Sequence, residues 1–388
     1  MAMVYFDNAA TTPIDPRVRD AMQPFLAGVY GNPSSLHAIG REARAALDHA
    51  RAQLAALIHA DPNEIIFTAS GTEADNLALT GFAKTLPMGE HHIIASAIEH
   101  PAVLATLRNL ASTGIAVTLL PVTPDGLVDP AALRAALRPE TRLVSVMAAN
   151  NVLGTIQPIH ELAEITHDAG ALFHSDAVQA VGKIPFDLSD GTIDLLSISA
   201  HKLYGPKGVG ALYVRGGVTL RPFIFGGGQE YGMRSATENV AGIVGLGKAA
   251  EIASAEMAND AARIVALRDQ LIDGVQKHIG NAYLIGHRYR RLPGHIALGF
   301  SGQEGEAIKL LLALDEAGFA VSTGSACSAS HAAEPSYILT ALGFDAFRAR
   351  GALRITLGRF NTEAEIERFI DVLIYAVAGL RSITSIRA

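Results

Sequence analysis

Ser197-Ile-Ser-Ala-His-Lys-Leu-Tyr-Gly-Pro-Lys-Gly-Val-Gly-Ala-Leu-Tyr-Val214 decides how the chain folds. The apolar run Asp194-Leu-Leu-Ser-Ile-Ser199 reads as a buried strand that ends in Ala200-His201-Lys202. It breaks at Gly205-Pro206-Lys207-Gly208, and a second apolar run, 209–214, follows at once. A lysine at the end of a buried strand, on a glycine-rich turn, is badly placed to be a solubilising charge. Enclosure there lowers the pKa of an ammonium toward neutrality and frees its amine for Schiff-base chemistry. The ordinary alternative is a lysine that snorkels from the turn to water. Its neighbours decide between the two.

Upstream of this stretch the chain alternates. Segments 65–68, 92–95, 115–120, 143–147 and 172–176 read as strands, with 195–199 and 211–214 after them. Helices are expected to open at Gly71-Thr-Glu-Ala74 and at His100-Pro101. This alternation argues for an α/β fold, a mostly parallel sheet flanked by helices. Before it, Ile39, Ala43, Leu47, Ala50, Leu54 and Leu57 recur at helical spacing. The turn cluster Gly31-Asn-Pro-Ser-Ser35 precedes that helix, with Ser34 or Ser35 as the expected cap, and Asp61-Pro-Asn63 stops it. From 238 to 278 the text is helical and alanine-rich, and it is expected to cross into a smaller α/β C-terminal domain. Strands at 296–300, 319–322 and 353–357 and helices at 304–316 and 362–378 are expected there. The length of 388 residues accommodates this division: an N-terminal segment 1–15, a large domain 16–255 and a small domain 256–388.

A net charge of −7 argues against nucleic acid or anionic lipid as a partner. No apolar run reaches membrane-spanning length, and the N-terminus lacks a basic signal-peptide start, so a cytoplasmic protein is expected. The single cysteine, Cys327, excludes an internal disulfide and a cysteine-rich zinc site. His160, His167 and His174, spaced by seven, and the adjacent His91 and His92 lack a carboxylate constellation, so no metal site is expected. Arg288 to Arg291 reads as a solvated basic turn.

Ligands of open α/β sheets gather at the carboxyl ends of the strands. There the sequence sets Gly71-Thr72, Glu99-His100, Asn150-Asn151, Asp176, Gln179, Ser199, His201 and Lys202. Ser70-Gly71-Thr72 is a candidate phosphate cradle at a helix start, though ordinary capping explains it equally. Asp176 ends an apolar strand and needs a cation, either a pyridinium nitrogen or a structural arginine. His100 is placed to stack on a ring and move protons, or simply to cap. Cys327 sits in the small-residue run Ser322-Thr-Gly-Ser-Ala-Cys-Ser-Ala-Ser330, polar company for a nucleophilic thiolate rather than an inert core thiol.

Five motifs occur along the chain: Phe6-Asp-Asn-Ala-Ala-Thr-Thr-Pro13, Gly31-Asn-Pro-Ser-Ser35, Asn150-Asn151, Ser199-Ala-His-Lys202-Leu-Tyr-Gly-Pro-Lys-Gly and Ser325-Ala-Cys327. In that order they resemble the cysteine desulfurases of the NifS/IscS group, class-V aminotransferase-like enzymes of pyridoxal-phosphate fold type I. The resemblance runs from Asp7 to beyond Arg359. It implies that Lys202 holds pyridoxal 5'-phosphate covalently and later moves the substrate Cα proton. It implies phosphate contacts at Gly71, Thr72, Ser199 and His201, with Thr237 lent by the other subunit of a homodimer. Asp176 would pair with the ring nitrogen, Gln179 and Asn151 would lie near the ring oxygen and substrate, and His100 would stack and manage protons. Arg354 would grip the substrate carboxylate, a task suited to a planar fork, with Asn32 assisting. Cys327 would take sulfur from L-cysteine, release L-alanine and pass the sulfur to an iron–sulfur scaffold protein or another acceptor. A selenocysteine lyase, another C–S lyase, an aminotransferase, or a sulfur-relay adaptor without chemistry of its own remain the alternatives. Three departures stand out: Ala200 where a glycine is usual, Val152-Leu153 where an acidic residue is common, and the stretch His331-Ala-Ala before Glu334.

Overall fold

The computed structural model describes residues 3–323 and 335–386. In chain order the first elements are β1 (Val4–Tyr5), α1 (Pro16–Ala27), α2 (Ala38–Leu57), β2 (Ile65–Thr68), α3 (Gly71–Asn76), β3 (His92–Ser96) and α4 (Pro101–Ser112). Then come β4 (Ala116–Leu120), α5 (Pro130–Ala136), β5 (Thr141–Ser145), α6 (Ile159–Asp168), β6 (Leu172–Asp176), β7 (Leu195–Ser199) and β8 (Gly210–Val214). The chain continues through α7 (Val240–His278), β9 (Ala282–Leu284), β10 (His295–Phe300), α8 (Ala307–Glu316) and β11 (Phe319–Ala320). It ends with α9 (Tyr337–Ala341), β12 (Leu353–Thr356) and α10 (Glu363–Ile386).

The main sheet runs β2-β8-β7-β6-β5-β3-β4. Its neighbours pair in parallel from β7 through β4, while β8 lies antiparallel to both β7 and β2. The reversal follows from chain length. The connection from Ser199 to Gly210 is a tight turn, too short for the helical crossover that a parallel neighbour requires. Successive strand residues feed opposite faces. Ile65 and Phe67 join one core and Ile66 the other; Leu196 and Ile198 join the first and Leu195 the second. Helices α2 and α6 and the first half of α7 cover the first face, and α3 and α4 cover the second.

A smaller antiparallel sheet, β12-β10-β9, and the parallel pair β1-β11 share another core with the second half of α7 and with α10. Phe6, Phe319 and Phe369 meet there, mostly edge to face. Helix α7 thus runs through both cores. Its residues from Ile243 to Ala253 pack against the large sheet, and those from Ile264 to Val275 against the small one.

Three sequence readings change. Helix α2 is capped by His37, whose Nδ1 accepts the Gly40 N–H at 3.2 Å, and not by Ser34 or Ser35. Ser34 instead gives its N–H to Asn32 Oδ1, at 2.9 Å, in the preceding turn. The strand expected at 143–147 runs Thr141–Ser145. Arg291 is not solvated: only 3% exposed, it caps the carbonyls of Leu153, Ile285 and His287. Burial and the neighbouring Arg268 and Arg288 push it down to about 9. No helix among the described residues is long and apolar enough to cross a membrane.

Candidate active site

The turn after β7 is built by close contacts. Ser199 is extended, Ala200–Lys202 makes one 3-10 turn, and the N–H groups of Leu203 and Gly205 both return to the Ala200 carbonyl. Tyr204 has φ +66°, the left-handed region. A Cβ on Gly205 would meet Ala200 Cβ and O at 2.9 Å, so the methyl of Ala200 is accommodated because position 205 has none. Lys202 leaves this turn pointing at the N-terminal segment, where Nζ donates to the carbonyls of Ala9 and, at 2.8 Å, Ala10. Thr12 N–H to His201 O, Thr12 Oγ1 from Tyr204 N–H, and Asp15 N–H to Tyr204 O stitch the two segments together.

Around Lys202 opens a cavity of about 370 Å3 at the carboxyl end of the parallel strands. Gly71, Thr72, His100, Asn151, Asp176, Gln179, Ser199, His201 and Arg354 line it with Lys202, ten of the residues expected from sequence. The N-terminus of α3 forms one wall. A Cβ on Gly71 would strike Val178 Cγ2 at 2.6 Å, so position 71 packs there only without a side chain. Ser70, Thr72, Ser199 and His201 stand around it. Burial, then Lys202, Lys207 and Lys183, push His201 down to about 4, which makes it a neutral hydrogen-bonding imidazole at neutral pH.

Helix α3 also contributes to an acidic wall. Asp75, one helical turn from Gly71, is buried beside Asp176, and one ligand atom from each of Asp75, Asp176 and His100 lies within 4.8 Å of the others. Burial raises both carboxyls, and repulsion from Asp176 raises Asp75 further. The Val178 N–H at 2.9 Å, with Lys202 and His100 nearby, favours charge on Asp176. At Asp75 a hydrogen bond from Ser197 opposes the rise but no cation does, and this carboxyl is raised the further of the two. His100 caps α4: its Nδ1 accepts the Ala102 N–H at 3.1 Å, leaving the ring proton on Nε2.

Arg354 closes the site from β12. It pairs with Asp7 at 2.7 Å and donates to Asn151 O at 3.2 Å, an anchorage the sequence did not suggest. Its Nε, Asn151 Oδ1 and Asp75 Oδ1 are buried and without a hydrogen-bond partner among the described residues, although Asp75 Oδ1 lies 3.7 Å from His174 Nε2. An amine, an ionised carboxylate, anion-binding N–H and hydroxyl groups at a helix start, and an arginine fit a ring with an aldehyde, a basic nitrogen and a phosphate, taken up beside an amino acid.

Asn32 is exposed and its side chain is spent on its own turn, away from the cavity lining. Thr237 is exposed and does not line this chain's cavity. Cys327 lies outside the described residues. The sequence reading missed Asp75, which the spacing of four from Gly71 could have flagged. It also missed Ala9 and Ala10, whose contributions are backbone carbonyls with no side-chain signature. The discounted histidines do not converge. His167 binds Asp194, His174 lies between Ser145 and Ser197, and His160 approaches Asp190 at the surface.

The family model described as aminotransferase class-V matches residues 4–369. A protein named cysteine desulfurase IscS, from Dictyoglomus turgidum, is 49% identical over 381 residues, 98% of this chain and 96% of that protein. Among solved structures, a NifS-like protein superposes with a TM-score of 0.90 at 40% identity, covering 97% of this chain and 99% of its own. SspA, solved in complex with cysteine, gives a TM-score of 0.78 at 35% identity over 92% of this chain and 99% of its own.

Proposed function

The chain belongs to the class-V aminotransferase family, with the cysteine desulfurases as its relatives, and from that premise we propose how its residues desulfurate L-cysteine. The observation that carries the reading is the convergence of Lys202, Asp176, His100 and Arg354 on one cavity. Pyridoxal 5'-phosphate, bound there, would supply an electron-accepting ring that stabilises negative charge at the substrate Cα.

Lys202 is the residue that would hold this cofactor, and its amine would be the base for the substrate Cα proton. Asp176 would pair with the ring nitrogen and keep it protonated. Asp75, retaining its own proton, leaves a single negative charge there. Gly71, Thr72, Ser199 and His201 would hold the phosphate, with Thr237 of a second subunit completing the set in a homodimer. His100 would face the ring and would handle the proton of the substrate thiol from Nε2. Arg354 receives the substrate carboxylate, with Nε already unpartnered, and Asn151 faces the same end. Gln179 lies on the ring-oxygen side. Cys327 attacks the substrate sulfur: L-cysteine and the Cys327 thiol become L-alanine and a Cys327 persulfide, so that atoms and electrons balance. An iron–sulfur scaffold protein or another thiol acceptor then takes the outer sulfur.

Alanine and sulfide formed from L-cysteine in the presence of a reducing thiol test this reading. Cys327→Ala is expected to keep the yellow colour of the bound cofactor and lose sulfide release. Lys202→Ala is expected to lose both. Unchanged cysteine turnover in Cys327→Ala overturns the assignment and favours another class-V lyase.

A further inference from the structure

Behind the wall that carries Gln179 lies a second cavity, about 30 Å3, bordered by Lys183, His295, Asp260 and Tyr204. Lys183 reaches out of it toward the main cavity and donates from Nζ to Gln179 Oε1 at 3.3 Å. Gln179 Nε2 in turn donates to Ala9 O at 2.9 Å, the carbonyl that also takes the Lys202 amine. The two ends of a glutamine amide have nearly the same shape and opposite polarity. Which end meets a ligand therefore depends on what holds the other. No other described residue donates to Gln179 Oε1.

We propose that Lys183 is a positioning residue for the reaction cavity: by holding Gln179 Oε1 it turns the N–H edge of the amide, and not its carbonyl, toward Ala9 and the ligand. The inference rests on the cavity being the cofactor site described above, where an N–H edge attracts an anionic ring oxygen and a carbonyl edge repels it. Charged and titratable groups face Lys183 from every packed element: Lys202 and His201 from the turn after β7, Arg354 from β12, His295 from β10, and Asp260 from α7, which is already bound to Arg359. Burial, then Lys202 and Arg354, push Lys183 down to about 7. His295 is 2% exposed, its Nε2 has no partner among the described residues, and burial beside Lys183 keeps it neutral. An ammonium can only donate, whereas a neutral amine can also accept. Lys183 thus fixes the amide most firmly below about pH 7 and loosens it above.

Selective 15N labelling of glutamine side chains in the full chain tests this, with the Gln179 signal assigned by its loss in Gln179→Leu. In the wild-type protein freed of cofactor the Gln179 amide signal is expected to titrate with a midpoint near 7. The titration is expected to vanish in Lys183→Met, with Lys183→Gln as a second variant if the first misfolds. In Lys183→Arg, charged throughout, the signal is expected to stay fixed. Pyridoxal phosphate is expected to dissociate about tenfold more readily from Lys183→Met than from wild type, and Lys183→Arg to recover most of the difference. Persistence of the titration in Lys183→Met, or wild-type cofactor affinity in that variant, overturns the proposal. Failure of the wild-type chain to bind pyridoxal phosphate would instead sink the cofactor reading, and the titration of Gln179 would still be read independently.

Discussion

Asp176 accepts the Val178 N–H and has Lys202 and His100 nearby, whereas Asp75 beside it has Ser197 and a histidine, His174, pushed down to about 3 by burial. Two carboxyls so close cannot both be charged, and their surroundings assign the proton to Asp75. Asp75→Asn, which keeps shape and neutrality, is therefore expected to leave pyridoxal-phosphate affinity within about threefold of wild type. Asp176→Asn is expected to weaken it by about tenfold or more, in absorbance titrations of cofactor-stripped protein. Equal losses in the two variants would show that the proton is placed wrongly. Arg354 gives a second residue-scale expectation. Its planar fork reaches Asp7 and Asn151 at once and still leaves Nε for a ligand. Arg354→Lys cannot do all three, so the KM for L-cysteine is expected to rise about tenfold with a smaller change in kcat, as steady-state kinetics would show.

The turn that carries Lys202 is the element whose shape the site depends on. A methyl at position 205 has nowhere to go while Ala200 carries one, and it also meets the Ala200 carbonyl at the same 2.9 Å. Gly205→Ala is expected to destabilise the protein by about 2 kcal/mol in urea unfolding, and adding Ala200→Gly is expected to return only part of that loss. This turn could be read from sequence because a strand, a glycine break and a second strand lie within one short stretch. The same held for the parallel strands, since apolar runs buried on both faces and separated by helical periods leave little choice. Other features were hidden because their causes lie far along the chain. Arg291 looks solvated among its arginine neighbours, and only the carbonyls of Leu153 and Ile285, brought in from elsewhere, bury it. Asp75 looks like one more polar helix residue until β6 sets Asp176 beside it. The partnership of Arg354 with Asp7 joins the two ends of the sequence, and local pattern says nothing about it. His37, not Ser34 or Ser35, caps α2, and both serine N–H groups are held by Asn32 in the preceding turn.

Across the whole molecule, buried acids and buried histidines give opposing pH dependences. Glu99 is pushed up to about 8 by burial, against the bonds it accepts from Ser96 and the Met147 N–H. The folded protein keeps this proton where an unfolded glutamate at 4.5 has released it. Its stabilising contribution is whole below 4.5 and is lost as pH rises through about 8. His174 works the other way: unfolded, it gains a proton below 6.5, and folded only near 3, so stability falls as pH drops through that window. The two groups therefore oppose one another between pH 4.5 and 6.5, and of this pair only the glutamate's decline continues above that window. Glu99→Gln is expected to flatten the decline between about pH 6.5 and 8 by about 2 kcal/mol, read from urea midpoints across that range. An unaltered slope would mean that Glu99 is ionised in the folded protein.

The long helix α7 has a consequence for how the molecule comes apart. Between Ala253 and Ile264 none of its residues is buried, and within that stretch surface-side ion pairs, Glu256 to Arg17 and Asp260 to Arg359, tie it to the rest. Each core supplies a seat for one half of a single rod, so melting either core strips its half of the rod of tertiary support. Calorimetry should accordingly show one endotherm rather than two, and any rocking of the smaller sheet over the larger must flex this unseated span, the natural place for a protease to nick first.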